Sequence, residues 1–231
     1  MNLELRRKTS LTELKSVAAQ SGLHDLGQIV LEDSLGSILA GAEKLNGGDA
    51  AWRMRKRKEA RELLALSQIS HGRIFVQHLE LYDALRAVVA MIVPVPIMVP
   101  PDESLVIGPY AVLGLSYPRE ALTQALPGAA FITILQPRHV WLPQVKLPEQ
   151  PLCLGATIRP GTPVRSLLLM AYGALSMQTV QVNELDPAGV FNAEAAVWWQ
   201  RNLDRAPLSR EPFLREDQAP PPPFPLPTWR L

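Results

Sequence analysis

The chain holds one thiol. Cys153 lies in the stretch Leu152-Cys153-Leu154-Gly155, just after a run punctuated by Pro143, Pro148 and Pro151. Proline fixes φ and removes a backbone donor, so this run reads as extended chain rather than helix or central strand. A thiol on exposed extended chain could relay an acyl group. The thiolate attacks an activated carbonyl, and because a thiolate also leaves well, the acyl group can then pass to an amine. No neighbouring histidine is required when the incoming acyl group is itself a thioester. The plainer reading is core packing, since unpaired cysteine is among the most often buried residues. Residue type alone leaves both open.

Other chemistries find less support. One cysteine excludes an intramolecular disulfide framework and a cysteine-built zinc site, and it suits a reducing compartment. The 4 histidines are scattered, with none at metal-ligand spacing, so no metal is expected. The stretch 155–161 lacks the Lys-Ser/Thr ending of a phosphate loop. Glu184 and Asp186 form no recognisable acid–base pair. No cofactor is expected.

The elements that would position the thiol follow from periodicity. After the loop 156–161, Thr162 suits an N-cap and Pro163 the first helical position. Apolar residues then recur at Val164, Leu167, Leu168, Ala171, Tyr172 and Leu175, one face of a helix. A second helix is predicted to open at Asn192, with Glu194 in its positive first turn and Ala195, Trp198, Trp199 and Leu203 facing inward. Upstream, 74–82, 88–93, 110–117 and 129–135 read as strands with links of modest length, which favours an antiparallel meander. Strands first and helices after indicate an α+β domain.

Residues 50–68 read as a helix capped by Asp49, bearing the basic cluster Arg53, Arg55, Lys56, Arg57 and Lys58. Without an aromatic platform or a second basic patch this cluster does not argue for nucleic acid, and a solvated face is the bland reading. Residues 1–48 carry helical signals up to the break Asn46-Gly47-Gly48 and read as an N-terminal helical extension. Residues 49–210 form the main domain, and 211–231 a proline-rich tail. Four consecutive prolines, 220–223, favour polyproline II, while Phe224, Leu226 and Trp229 would be costly to leave in water. The tail is therefore expected to dock on its own domain or on a partner.

The chain's 231 residues, 47% of them apolar, suffice for one full domain with extensions, and a formal charge of +1 gives no bulk field for nucleic acid or membrane. The charged start Met1-Asn-Leu-Glu-Leu-Arg-Arg-Lys lacks the apolar core of a signal peptide. The most apolar run, 87–99, is too short to cross a bilayer and is broken by Pro94 and Pro96. A cytoplasmic protein is expected.

The order of these pieces resembles the catalytic half of ubiquitin-conjugating enzymes. The similarity rests on Tyr110-Ala-Val-Leu-Gly-Leu-Ser-Tyr117-Pro118, Pro127 with Phe131-Ile-Thr-Ile-Leu, Pro151-Leu-Cys-Leu-Gly, the helix from Pro163, and Phe191-Asn-Ala-Glu-Ala-Ala-Val-Trp. It covers roughly residues 49–205. The resemblance implies an α+β fold of that type: a basic first helix, an antiparallel meander and C-terminal crossover helices. It also implies a ubiquitin-like protein received from an activating enzyme as a thioester on Cys153 and passed to an amine, with the basic helix docking the activating enzyme. The family's His-Pro-Asn tripeptide is replaced by Gln136-Pro137-Arg138-His139, and the segment from there to Cys153 is longer than usual. Arg138 could then stabilise an oxyanion and His139 could act as donor or base, or His139 could merely bond the chain at a strand end. These departures are similar to those of divergent bacterial conjugating-like proteins, often encoded in antiviral defence operons. The alternative of a different class is a non-catalytic binding or adaptor module on the same fold, with Cys153 packed in its core.

Overall fold

A computed structural model describes residues 32–70, 72–99, 104–179 and 189–207. The proline-rich tail and most of the loop carrying Asn183, Glu184 and Asp186 lie outside the described residues, as does the segment 1–31.

Helix α1, Glu32–Lys44, leads into α2, Ala50–Ile69. Asp49 caps α2 as expected, its carboxylate accepting from the Trp52 N–H at 2.9 Å. Helix α1, the described part of the expected N-terminal extension, places Ala42 in the main core, with Ile38 and Leu39 against it.

Strands β1 (Ile74–Glu80), β2 (Leu85–Val99) and β3 (Ser104–Tyr117) follow. After the short strand β4, Leu126–Pro127, comes β5, Ile132–Gln136. The four-stranded sheet runs β1-β2-β3-β5, every pair antiparallel, so the fold class is α+β with a meander. β2 extends well past residue 93. Pro94 falls where its register with β3 shifts, between Ile92 and Val95, so no ladder bond is asked of its missing N–H. β5 begins later than expected because residues Gly128–Ala130 form a 3-10 turn. A second pairing joins β4 to β6, Thr157–Ile158.

Helix α3, Val164–Leu175, packs on α2 and β2 with Val164, Leu167, Leu168, Ala171, Tyr172 and Leu175 buried, the face expected from its period. Its N-cap is Pro163 rather than Thr162, whose hydroxyl instead donates to the Arg159 carbonyl at 2.8 Å. Proline has no side-chain acceptor, so the cap comes from elsewhere: the Glu59 carboxylate of α2 accepts the Val164 N–H at 2.7 Å. Helix α4, Ala193–Arg201, opens at Asn192, whose side chain accepts from the Ala195 N–H at 2.9 Å. Ala195 and Trp199 are fully buried, whereas Leu203 is exposed. The helix ends at Arg201, and the following 3-10 turn, Leu203–Arg205, carries Leu203 off the inward face.

The core lies between the sheet and these helices. Trp52, Tyr117 and Phe131 join α2 to the sheet, with ring centroids 6.3 and 6.2 Å apart.

Candidate functional site

The segment after β5 turns back on that strand. Leu152 donates its N–H to Ile132 O at 2.9 Å, Ile134 donates to Gln150 O at 2.9 Å, and Thr133 bridges Pro151. Gln150 holds the turn from inside. Its side chain accepts from the Val140 N–H at 2.9 Å and donates to the carbonyls of Pro137 at 2.8 Å and Ile134 at 3.1 Å. The residue is fully buried and takes a positive φ of 63°. These bonds satisfy backbone groups that an irregular buried segment would otherwise orphan.

Cys153 lies past the β5 residue Ile132, one position beyond Leu152. Its N–H donates to Gln144 O at 2.8 Å, and its Sγ lies 3.4 Å from Gly155 O. Of the two settings the sequence left open for the thiol, exposed chain or core packing, the structure has the buried one: the residue is only 4% exposed. Leu152 and Leu154 are buried beside it, because the segment passes under covering elements instead of over the surface. The thiol residue lines a cavity of about 230 Å³, shared with Gln144, Gly155, Met170, Ala174 and Thr179. Gly155 has φ 129°, a conformation glycine tolerates and side chains resist. Opposite it, a Cβ on Gly128 would sit 2.2 Å from Gly155 O, so both glycines are needed for the close approach that seats this loop.

Gln144 was not singled out in the sequence. It is buried, it donates from Nε2 to Thr179 O at 3.0 Å, and its Oε1 is buried with no donor among the described residues. Nothing local in Leu142-Pro143-Gln144-Val145 marks it; only the long-range fold brings it to the cysteine.

Arg138 and His139 are exposed and lie beyond the other end of β5. His139 takes φ 60°, and its carbonyl accepts from the Met98 N–H at 3.0 Å. This bond is made by backbone alone and is open to any residue at the position, so it gives the imidazole no role. Its side chain lines a separate groove of about 840 Å³, with Met98, Trp141, Leu147, Val197 and Trp198 among the walls. The groove and the Cys153 cavity have no lining residue in common.

The basic cluster on α2 is divided in the same way. Lys56 is fully buried, its ammonium donating to the carbonyls of Gly47, Leu81 and Tyr82. Burial pulls its pKa down, and the nearby Asp83 carboxylate partly offsets this. Arg55 bonds Gly161 O at 3.0 Å and pairs with Glu59 at 2.7 Å. Glu59 is 1% exposed, and its pKa is raised because burial outweighs the Val164 N–H and Arg55. Only Arg53, Arg57 and Lys58 of the five present an exposed charge.

Among the described residues no group of three His, Cys, Asp or Glu side chains could hold a metal ion. Nor is any described helix long and apolar enough to cross a membrane. No protein-family model, no curated protein and no solved structure matches the chain.

Proposed function

We propose that the chain is a divergent ubiquitin-conjugating-like carrier that accepts a ubiquitin-like protein as a thioester on Cys153 and passes it to an amine. The observation that carries this reading is the position of the single thiol. Cys153 lines a cavity between the segment paired with the last strand of an antiparallel meander and the helix that follows it. The order of basic helix, meander, cysteine segment and two helices agrees with the resemblance seen in the sequence.

In the first step the Cys153 sulfur attacks the carbonyl of the activating enzyme's thioester. The new S–C bond forms as the C–S bond to the activating enzyme breaks, and the proton of the Cys153 thiol ends on the departing thiol. In the second step an amine attacks the same carbonyl, and the C–S bond breaks as the C–N bond forms. The proton the amine loses passes through solvent to the departing Cys153 thiolate, leaving an amide and a free thiol. Gln144 is the polar side chain beside that centre, and its unsatisfied Oε1 can accept a hydrogen bond from an incoming amine. Arg53, Arg57 and Lys58 are the exposed cations available to an activating enzyme, Arg57 and Lys58 being paired with Glu43 at 3.5 Å and Glu62 at 3.8 Å.

Charging with an activating enzyme, ATP and a ubiquitin-like protein tests the reading. The wild type should form an adduct that thiol reductants release. Cys153→Ser should give a reductant-stable ester or none, and Cys153→Ala should give none. An adduct that persists on Cys153→Ala sinks the assignment.

The burial of Cys153 favours a second reading, a non-catalytic binding module in which the thiol is packing. Iodoacetamide separates the two: an acyl carrier is alkylated while folded, whereas a packed thiol reacts only after denaturation. In the packed case Cys153→Ala should also cost about 1 kcal/mol or more in urea denaturation.

A further inference from the structure

We propose that the groove beside His139 is the docking site of this chain's own proline-rich C-terminal segment, within residues 208–231. The assignment stands whether or not Cys153 carries an acyl group.

The groove is mainly apolar, with Glu194, Arg201 and Asn202 also in its lining, and it is built on fixed backbone. Its walls include Met98, Trp141, Leu147, Val197 and Trp198 in a volume of about 840 Å³. Trp141 donates its N–H to Pro96 O at 2.8 Å, and its own carbonyl accepts the Trp199 indole N–H at 2.8 Å. The N-terminus of α4 is fastened to the same segment, with Phe191 and Asn192 both donating to Pro143 O, at 2.7 and 3.0 Å. A groove held at both walls is preformed, so little ordering cost is left for an occupant. The Trp141 indole N–H is buried with no acceptor among the described residues.

The sequence supplies a matching occupant. Residues 220–223 are four prolines, followed by Phe224, Pro225, Leu226, Pro227 and Trp229. A proline run has few backbone donors and many carbonyl acceptors, and it loses little entropy on binding because it is already extended. Aromatic-lined grooves bind such segments through ring faces and indole donors. A groove walled by Trp141 and Trp198 is of that kind.

Connectivity favours the chain's own tail over a proline-rich ligand in solution. Helix α4 forms one wall, and Arg201 and Asn202 at its end line the groove. The described chain stops at Pro207, shortly after them. Extended chain covers about 3.4 Å per residue, so the stretch between Pro207 and Pro220 is ample for a return. A tether of this length gives an effective concentration on the order of millimolar, which excludes weak competitors.

The test uses full-length protein and a fluorescently labelled peptide of residues 213–231, followed by anisotropy. Phe224→Ser with Trp229→Ser disables the tail without touching the domain. This double variant should bind the peptide at least tenfold more tightly than the wild type does, because its groove is vacant. Adding Val197→Glu should reduce that binding at least tenfold, and Leu147→Glu replaces it where Val197→Glu fails to fold. Equal binding by the wild type and the double variant overturns the proposal, as does no binding by either. Sedimentation of the wild type as a dimer that the tail substitutions dissolve would also overturn it, since the tail would then occupy a second copy.

Discussion

The two ends of β5 make different kinds of site from one continuous segment. At one end Cys153 lines a cavity of about 230 Å³ against α3. At the other, His139 edges a groove of about 840 Å³ against α4. Residues 139 and 153 are close in sequence, and proximity in the chain invites a shared active site. The pairing of 150–152 back along 132–134 instead separates them by the length of the strand. A hairpin-like return therefore sorts candidate residues by end, and adjacency in sequence is a poor guide to which of them meet.

The largest effect should come from unseating α3. It is buried along one face and supplies Met170 and Ala174 to the cysteine cavity. Leu168→Asp places a carboxylate at a fully buried position and should cost about 3–5 kcal/mol, seen as a large fall in Tm. If that variant melts like the wild type, α3 does not wall the cavity as described. Next is Gln150→Leu, which strands the Val140 N–H and the carbonyls of Pro137 and Ile134. At about 1–3 kcal/mol for each buried group left unsatisfied, partly relieved by rearrangement, a loss of about 2–4 kcal/mol is expected in urea denaturation. Because Gln150 holds the segment that links the two ends, this variant should also raise the alkylation rate of Cys153. Destabilisation without that change would mean the two ends are mechanically independent.

What the sequence made legible were the strongly periodic elements and two of the caps, though not that of α3, where Thr162 was expected and Pro163 is found. The α3 face, the Asp49 and Asn192 caps and the antiparallel order of the strands all follow from residue spacing. What escaped were polar residues buried by partners distant in the chain. The run 53–58 reads as a charged surface, yet Lys56 and Glu59 fall on the same helical stripe as Trp52, Ala60 and Leu63, so they go inward with it. That spacing was visible in the sequence; the carbonyls that receive the ammonium, from Gly47, Leu81 and Tyr82, were not. Gln144 and Gln150 carried no signal at all, since an amide in a proline-punctuated stretch is ordinarily solvated. The burial of Cys153 stayed undecided in the sequence for a related reason: prolines specify extended chain but not what covers it.

Glu59 gives a smaller, pH-dependent effect on the cysteine side, because it caps the helix that walls that cavity. Its folded pKa lies above the ordinary value, chiefly through burial. The native state therefore holds this proton more tightly than the unfolded chain. Its contribution is fully present below the unfolded pKa, about 4.3, and is lost as pH rises through the folded value. Glu59→Gln keeps an acceptor for the Val164 N–H but cannot titrate. Its stability should therefore fall less than the wild type's as pH rises through that window, measured by urea denaturation from pH 4 to 7. Identical slopes would show that Glu59 is not the group responsible.

The smallest effect is the one that bears most directly on the two ends. If Arg138 and His139 served the chemistry at Cys153, Arg138→Ala and His139→Ala would leave charging intact while slowing discharge to an amine, because an oxyanion donor or base acts in the second step. Both residues are exposed, and the His139 groove shares no wall with the cysteine cavity. A group outside the cysteine cavity would not reach a carbonyl held on Cys153, so under the proposed reading both variants should discharge within about twofold of wild type, under 0.5 kcal/mol. Stability should also hold, since the His139 bond to Met98 is made by its backbone carbonyl and survives truncation to alanine. Single-turnover discharge to free lysine measures this without interference from charging. A tenfold slower discharge in either variant, with charging unchanged, would mean that the segment rearranges once Cys153 is acylated and brings the two ends together.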